Sequence, residues 1–278
     1  MPTISHIPKD RRNPKSCYLS NFAENVTSQN GEDGIVQKIL EIIGMRNKWV
    51  VEIGAWDGKY LSNSWSLTNR KGWHGVLVEG DEKRCAKLRT DYAHLPAVTV
   101  RQEFVGFDAT APNAIDRILV ETAAPKDFDV LSIDIDGNDY YVWRAMTRYK
   151  PRIVIIEYNP TVANDVVFVQ DPDAAINQGC SLLALIRLGK EKGYELACVT
   201  ACNGIFVRED AFPALGIADN DIDALRCDDG PRILFGYDGT VFTASLDNVP
   251  WTSIRLEHED LQVLPKALRC YRYEPDLT

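Results

Sequence analysis

The sequence lacks several features that would place it in a specialised class of protein. Its seven cysteines are scattered along 278 residues and never form a Cys-x-x-Cys pair, which argues against a disulfide framework and against a zinc knuckle. No run of about eighteen apolar residues occurs, and the N-terminus lacks the apolar centre of a signal peptide. We therefore expect a cytoplasmic protein that has no membrane partner.

Positive charge is also scarce. The chain has 31 Lys and Arg residues against 40 Asp and Glu residues, so its formal net charge is −9. Binding nucleic acid through the overall electrostatic field requires clustered Lys and Arg side chains that replace counterions. The charge balance therefore predicts no nucleic-acid partner, while homo-oligomerisation remains possible.

Short β-rich apolar runs alternate with amphipathic stretches from residue 26 to about residue 208. This pattern predicts α/β architecture, with helices that cover a mainly parallel sheet. The predicted strands are 49–54, 75–79, 97–101, 128–135, 152–156, 194–199 and 204–207, and a short turn between the last two indicates an antiparallel pair. The predicted helices are one that ends at Gly44, then 61–71, 81–92, 113–121, 140–148 and 181–192. We predict an N-terminal arm over 1–25, one domain over 26–208 and a C-terminal lobe or lid over 209–278.

An acid lies near the end of the first predicted strand, and glycines mark the turn that comes next. Glu52, Gly54 and Gly58 lie there, and Glu79 ends the second predicted strand. In open α/β sheets a ligand lies outside the carboxyl ends of the strands, where glycine lets the backbone approach and a second-strand acid can bind a ribose diol. A dinucleotide site would prefer Gly-x-Gly-x-x-Gly. The acid here would repel a pyrophosphate and attract the cationic amino acid end of S-adenosylmethionine, which we predict as the cofactor.

A second group of acids lies at the end of the fourth predicted strand and the beginning of the next helix. Asp134 is a candidate contact to the cofactor ammonium or to the substrate, and Asp136 is a candidate general base. Neighbouring carboxylates tend to raise one another's pKa, which suits proton transfer. We interpret Asp139 as the N-cap of the following helix.

Polar residues also follow the fifth predicted strand. Glu157, Tyr158 and Asn159, together with Trp56, are candidates for a substrate-facing wall. Oxygen ligands from Asp134, Asp136 and Glu157 would also suit Mg²⁺ or Ca²⁺. We favour hydrogen bonding to substrate hydroxyls or amines as the simpler explanation, so a divalent metal is an alternative that we do not predict.

Four segments together resemble the FkbM-like branch of bacterial S-adenosylmethionine-dependent methyltransferases. They are Ser28 to Gly34, Val51 to Gly58, Leu131 to Tyr140 and Ile155 to Asn159. The resemblance implies a class I enzyme on a Rossmann-like, doubly wound, mostly parallel seven-stranded sheet with an antiparallel final strand. It carries over Glu52, Gly54 and Glu79 as cofactor contacts and Asp134 as a residue at the reaction centre. It also suggests that the loop with Gln29 and Glu32 closes over the cofactor, and we add Gln29, Ala55, Asp57 and Gly58 as cofactor contacts.

The resemblance has limits that affect the substrate. FkbM-like enzymes often carry Asp-Ile-Glu-Gly where this chain has Asp134-Ile135-Asp136-Gly137, and the C-terminal lobe has no counterpart. Such enzymes mostly methylate hydroxyls of sugars, polyketides and other secondary metabolites, so we expect O-methylation of a small-molecule acceptor. Methylation of nitrogen or of a carboxyl group stays open, as do a nucleotide-dependent oxidoreductase and a non-catalytic binding protein on the same fold.

Overall fold

The computed structural model describes residues 10–227 and the two strands Arg232–Phe235 and Val241–Ala244. The strands of the main sheet are β1 Trp49–Ile53, β2 His74–Glu79, β3 Val98–Gln102, β4 Val130–Ile133, β5 Ile153–Glu157, β6 Tyr194–Val199 and β7 Asn203–Arg208. The helices are α1 Glu32–Ile43, α2 Glu82–Asp91, α3 Ile115–Val120, α4 Asp139–Ala145, α5 Leu182–Lys192 and α6 Ile222–Leu225.

The seven strands form one sheet in the order β3-β2-β1-β4-β5-β7-β6. The five strands from β3 to β5 pair in parallel, and β7 runs antiparallel to both β5 and β6. The predicted Rossmann-like, mostly parallel, seven-stranded sheet with an antiparallel final strand is confirmed. Strands β1 and β4 are adjacent in the sheet. The chain continues from β1 towards the β3 edge and from β4 towards the β6 edge. The carboxyl ends of β1 and β4 therefore form the crevice where ligands bind in such folds.

Both faces of the sheet are covered, as the doubly wound architecture requires. Alternate residues of β1 point to opposite sides, so Val51 and Ile53 join one core cluster and Val50 joins another. The first cluster includes residues of α3, α4 and α5, and the second includes residues of α1. This double burial explains why the strands are continuous apolar runs rather than alternating ones.

Residues from both flanking segments contribute to the second core cluster. Leu19, in a 3-10 helix over Cys17–Phe22, and Leu215 are both buried there. The Tyr18 hydroxyl donates a hydrogen bond to the Leu215 carbonyl at 2.8 Å. The domain boundaries at residues 25 and 208 remain predictions. Beyond them, Arg232–Phe235 and Val241–Ala244 pair as an antiparallel two-stranded sheet, labelled β8 and β9.

In two of the predicted helices that are shorter in the structure, a carboxylate explains the difference. The helix predicted over 61–71 is a π-helix over Ser66–Arg70, because the residues before it bind Glu52 instead. The helix predicted over 140–148 ends at Ala145. Asp116 of α3 accepts hydrogen bonds from the backbone amides of Thr147 and Arg148 and so holds the chain outside the helix. None of the helices in the described part of the chain is long and apolar enough to cross a membrane.

Candidate functional site

A cavity of about 370 Å³ lies at the carboxyl ends of β1, β4 and β5, and we call it the strand-tip cavity. Eight of the predicted site residues line it: Gln29, Glu52, Gly54, Ala55, Trp56, Asp134, Asp136 and Glu157. Four residues that the sequence did not suggest also line it: Tyr60, Leu61, Ser62 and Asn63. The predicted residues that lie outside its wall are Asp57, Gly58, Glu79, Tyr158 and Asn159.

The two glycines after β1 have different tasks. Gly54 has φ of 83°, and a Cβ atom there would lie 1.7 Å from the backbone oxygen of Asp134. Only glycine therefore allows the β1 turn to approach the tip of β4 in the cavity wall. Gly58 has φ of 74°, but its Cβ would meet the side chains of Leu88 and Tyr92, so this glycine allows the turn to pack against α2.

The carboxylate of Glu52 is buried and fully engaged by the chain that follows the turn. It accepts hydrogen bonds from the hydroxyls of Ser62 at 2.7 Å and Ser64 at 2.6 Å, and from the backbone amide of Asn63 at 2.8 Å. Burial raises the pKa of Glu52, and these hydrogen bonds oppose that rise. The polar run Ser62-Asn63-Ser64 was the available signal for this contact, since it interrupts the apolar spacing of the helix predicted there.

Glu79 lies beside the strand-tip cavity and shapes its wall. One carboxylate oxygen accepts a hydrogen bond from the backbone amide of Trp56 and the other from that of Asp81, each at 2.8 Å. The guanidinium of Arg84 stacks on the Trp56 ring, 3.5 Å from its centre. Trp56 is 44% exposed and lines the cavity. The ribose-binding role of Glu79 remains a prediction.

The three acids after β4 divide into one structural group and two cavity groups. Asp139 is fully buried as the first residue of α4, where Asn138 takes the N-cap position, so the predicted capping role is wrong. Its carboxylate accepts hydrogen bonds from the backbone amides of Ile135 at 2.9 Å and Gly137 at 3.0 Å. Asp139 thereby holds the intervening residue, Asp136, in a left-handed conformation with φ of 57°.

The carboxyl groups of this cluster all resist ionisation. Burial, reinforced by the nearby Asp139 and Asp136, raises the pKa of Asp134 to about 8. Burial also raises the pKa of Asp139 to about 6 against the effect of its backbone hydrogen bonds. The pKa of Asp136 is raised by burial as well, and Arg84 partly offsets this. Such poised carboxyls can exchange a proton near neutral pH.

Asp134, Asp136 and Glu157 meet at one point of the cavity wall. Each offers a carboxylate oxygen, and these oxygens lie within 4.8 Å of one another. A hard divalent cation would find oxygen ligands here, and hydroxyl or ammonium donors of a ligand would find acceptors. The arrangement fits either partner, since acidic clusters also occur without a metal.

A second cavity, of about 500 Å³, shares Gln29 with the strand-tip cavity and contains Tyr158 in its wall. The Tyr158 hydroxyl donates a hydrogen bond to the Thr200 carbonyl at 3.0 Å. Asn159 is turned inward, where its amide donates to the Gln178 carbonyl at 2.8 Å. Of the predicted substrate contacts, Trp56 and Glu157 therefore share one cavity, while Tyr158 and Asn159 lie elsewhere.

Gln29, in the polar loop before α1, and Glu32, the first residue of α1, face different neighbours. Gln29 is exposed and lies between the two cavities. Glu32 is fully buried, and its carboxylate accepts hydrogen bonds from Thr200 Oγ1 at 2.6 Å and Asn203 Nδ2 at 3.0 Å. Glu32 therefore anchors the loop to the turn between β6 and β7. Of these two residues, Gln29 is the one whose side chain a ligand in either cavity could contact.

No known protein family and no curated protein matches this sequence. Several solved structures are similar to the chain. One is the N-terminal domain of EvdMO1 in the presence of SAH and D-fucose, at 13% identity and a TM-score of 0.41 over 66% of this chain and 84% of that one. Another is a SAM-dependent methyltransferase from Aquifex aeolicus, at 12% identity and a TM-score of 0.38 over 68% and 96% of the two chains. Precorrin-6y C5,15-methyltransferase from Geobacter metallireducens GS-15 has 16% identity and a TM-score of 0.38 over 66% and 90%. These similarities are too distant to transfer a substrate or a residue role.

Proposed function

We propose that the protein is an S-adenosylmethionine-dependent methyltransferase that methylates a hydroxyl of a small molecule such as a sugar or secondary metabolite. The observation that carries this proposal is the charge of the strand-tip cavity. Its wall contains four carboxyl side chains, and none of the described residues that line it carries a basic group: the carboxyls are those of Glu52, Asp134, Asp136 and Glu157. Such a cavity attracts sulfonium and ammonium groups and repels a pyrophosphate.

Other residues in and beside the wall of the strand-tip cavity indicate where the cofactor would be held. Gln29, Gly54 and Ala55 would contact its methionine portion, with the backbone approach at Gly54 giving access to the tip of β4. Asp57 and Gly58 complete the turn, and Glu79 would accept hydrogen bonds from the ribose hydroxyls on the other side of Trp56. In this arrangement Asp134 and Asp136 would lie beside the reactive end of the cofactor.

The cofactor would supply an electrophilic methyl group when bound. The protein's own contribution is to align the acceptor hydroxyl, exclude water and take the proton that the hydroxyl loses. Alignment is the largest of these effects in general. Asp134, with a pKa of about 8, and Asp136 are the candidate bases for that proton. Trp56 and Glu157 would form the wall against which the acceptor lies.

Three alternatives use the same cavity. Methylation of a nitrogen or of a carboxyl group would need no change in the proposed cofactor contacts. A nucleotide-dependent oxidoreductase is disfavoured, because the turn after β1 lacks Gly-x-Gly-x-x-Gly and β7 is an antiparallel strand within the sheet. A non-catalytic binding protein would have little use for several ionisable groups at adjacent strand ends, since burying them costs stability.

The first test is isothermal titration of the full chain with S-adenosylhomocysteine, with NADH in parallel and with a chelator present or absent. We expect micromolar binding of S-adenosylhomocysteine alone, unchanged by the chelator. Binding of NADH alone would overturn the cofactor proposal, and binding of neither to folded protein would favour the non-catalytic alternative. Loss of binding in the chelator would favour a metal at Asp134, Asp136 and Glu157.

The second test is transfer of a labelled methyl group to panels of hydroxylated, aminated and carboxylated acceptors. We expect label in the hydroxylated panel only. The matched variant is Asp136→Asn, which keeps the size of the side chain and should lose transfer while retaining affinity for S-adenosylhomocysteine. Label in the amine or carboxylate panel would replace the O-methylation proposal and leave the cofactor proposal intact.

A further inference from the structure

Asn63 has a buried hydrogen-bond acceptor for which the described part of the chain supplies no donor. The residue is 7% exposed and lies in the wall of the strand-tip cavity. Its Oδ1 atom has no hydrogen-bond partner. An acceptor that is buried and unsatisfied costs folding free energy, so proteins usually pair it with a ligand or an ordered water.

The rest of Asn63 is held firmly by the two central strands. Its backbone amide donates to Glu52 Oε1 at 2.8 Å, and its Nδ2 donates to Ser132 Oγ at 3.0 Å. Glu52 and Ser132 are themselves register partners on β1 and β4. Because the Nδ2 group is engaged, Oδ1 is the polar side-chain atom of Asn63 that remains for a ligand.

The neighbouring groups determine what kind of ligand atom can satisfy Oδ1. Glu52 and Asp134 line the same cavity and are acceptors when ionised, so the ligand must supply hydrogen-bond donors. An ammonium group has three such donors and a charge that these carboxylates favour. A carboxylate or phosphate on the ligand would be repelled.

We infer that Asn63 Oδ1 accepts a hydrogen bond from the α-ammonium of S-adenosylmethionine and of its product S-adenosylhomocysteine. The inference rests on the proposed cofactor and adds a specificity-determining residue to it. Asn63 then gives the protein a higher affinity for ligands that carry the amino group than for adenosyl ligands that lack it. A purely structural Asn63, which only held the 62–64 segment against Glu52, would affect both kinds of ligand alike.

The test is isothermal titration of the full chain with S-adenosylhomocysteine and with its analogue in which hydrogen replaces the α-ammonium. The wild type should bind S-adenosylhomocysteine about 10- to 100-fold more tightly than the analogue, the range for hydrogen bonds to a charged group. Asn63→Ala should reduce this ratio by about tenfold and leave affinity for the analogue unchanged. Asn63→Asp retains an oxygen at this position and adds a negative charge, so it should raise the ratio above that of the wild type.

The matched control is Asn47→Ala. Asn47 also has a buried Oδ1 atom without a partner, but it precedes β1 at the opposite edge of the sheet, so the ratio should not change. Equal weakening of both ligands in Asn63→Ala, or a wild type that does not distinguish them, would overturn the inference and leave the cofactor proposal standing. A wild type that binds neither ligand would overturn the cofactor proposal and the inference with it. If Asn63→Ala does not fold, a ratio in Asn63→Asp that is no higher than that of the wild type is the contradicting result.

Discussion

Glu79 Oε2 accepts a hydrogen bond from the backbone amide of Trp56 at 2.8 Å, which ties the end of β2 to the turn after β1. Trp56 is a non-glycine residue with φ of 49°, a left-handed conformation that costs free energy for an L-amino acid. The other Glu79 oxygen accepts from the Asp81 amide. One carboxylate thus stabilises both segments that border the proposed ribose position.

Replacing Glu79 should therefore affect the turn and the cofactor together. In Glu79→Gln the side-chain NH₂ group faces a backbone N–H, so one of the two hydrogen bonds is lost. We expect the free energy of unfolding to fall by about 1–3 kcal/mol and the affinity for S-adenosylhomocysteine to fall by about tenfold or more. Urea denaturation and isothermal titration measure the two effects. Glu82→Gln, an exposed residue of α2, is the control, and unchanged affinity in Glu79→Gln would count against the ribose contact.

The left-handed conformation of Asp136 predicts an unusual order of stability among its variants. Asp136→Gly should be more stable than Asp136→Ala by about 1 kcal/mol, because glycine adopts φ of 57° without strain. Both variants lose the carboxylate, so both should lose methyl transfer to the same extent. Chemical denaturation checks the order of stability. Equal stability of the two variants would show that the conformation of residue 136 is not strained.

The raised pKa of Asp134 makes folding pH-dependent. A carboxyl whose pKa is about 8 in the folded chain and roughly 3.9 when unfolded binds its proton more tightly in the folded state. The free energy of unfolding should therefore fall as the pH rises from about 4 towards 8. In Asp134→Asn this decline between pH 5 and pH 8 should be smaller, as measured by urea denaturation.

The control for this titration is Asp108→Asn. Hydrogen bonds from Thr110 lower the pKa of Asp108, so its contribution to stability is lost only in acid, below the pH range of the experiment. Asp108→Asn should keep the decline of the wild type. An Asp134→Asn variant with the same decline as the wild type would contradict the assignment of the raised pKa to this residue.

Ser64 tests the network around Glu52. Its hydroxyl donates to Glu52 Oε2 at 2.6 Å in a fully buried position, so Ser64→Ala removes one hydrogen bond from a buried carboxylate. We expect a loss of about 1–3 kcal/mol in the free energy of unfolding. Ser66→Ala, two residues along the chain and also buried, should change it by about 0.5 kcal/mol or less. Similar losses in the two variants would mean that the hydrogen bond from Ser64 to Glu52 does not contribute to the free energy of unfolding.

Most of the sheet was predictable from the sequence because its strands are short apolar runs separated by turn residues and amphipathic helices. The N-cap of α2 is local too, since the Asp81 side chain accepts from the Arg84 backbone amide within one turn. Two predicted helices were too long because the backbone forms hydrogen bonds with a carboxylate from another part of the chain. Hydrogen bonds to Asp116 end α4, and hydrogen bonds to Glu52 keep residues 62–64 outside the predicted helix. Neither carboxylate is close in sequence to the residues that it binds.

Local chemistry placed Glu52, Gly54, Asp134 and Asp136 at strand ends, and parallel pairing of β1 and β4 brings those ends together in one cavity. The sequence by itself thus determined the fold class and most of the cavity wall, because strand periodicity and turn glycines depend on near neighbours. Only the tertiary structure decided which carboxyls face the cavity and which brace the backbone. Glu32 braces the loop before α1 and Asn63 lies in the cavity wall, because each forms a hydrogen bond with a segment far away in the chain, Glu32 with Thr200 and Asn63 with Ser132.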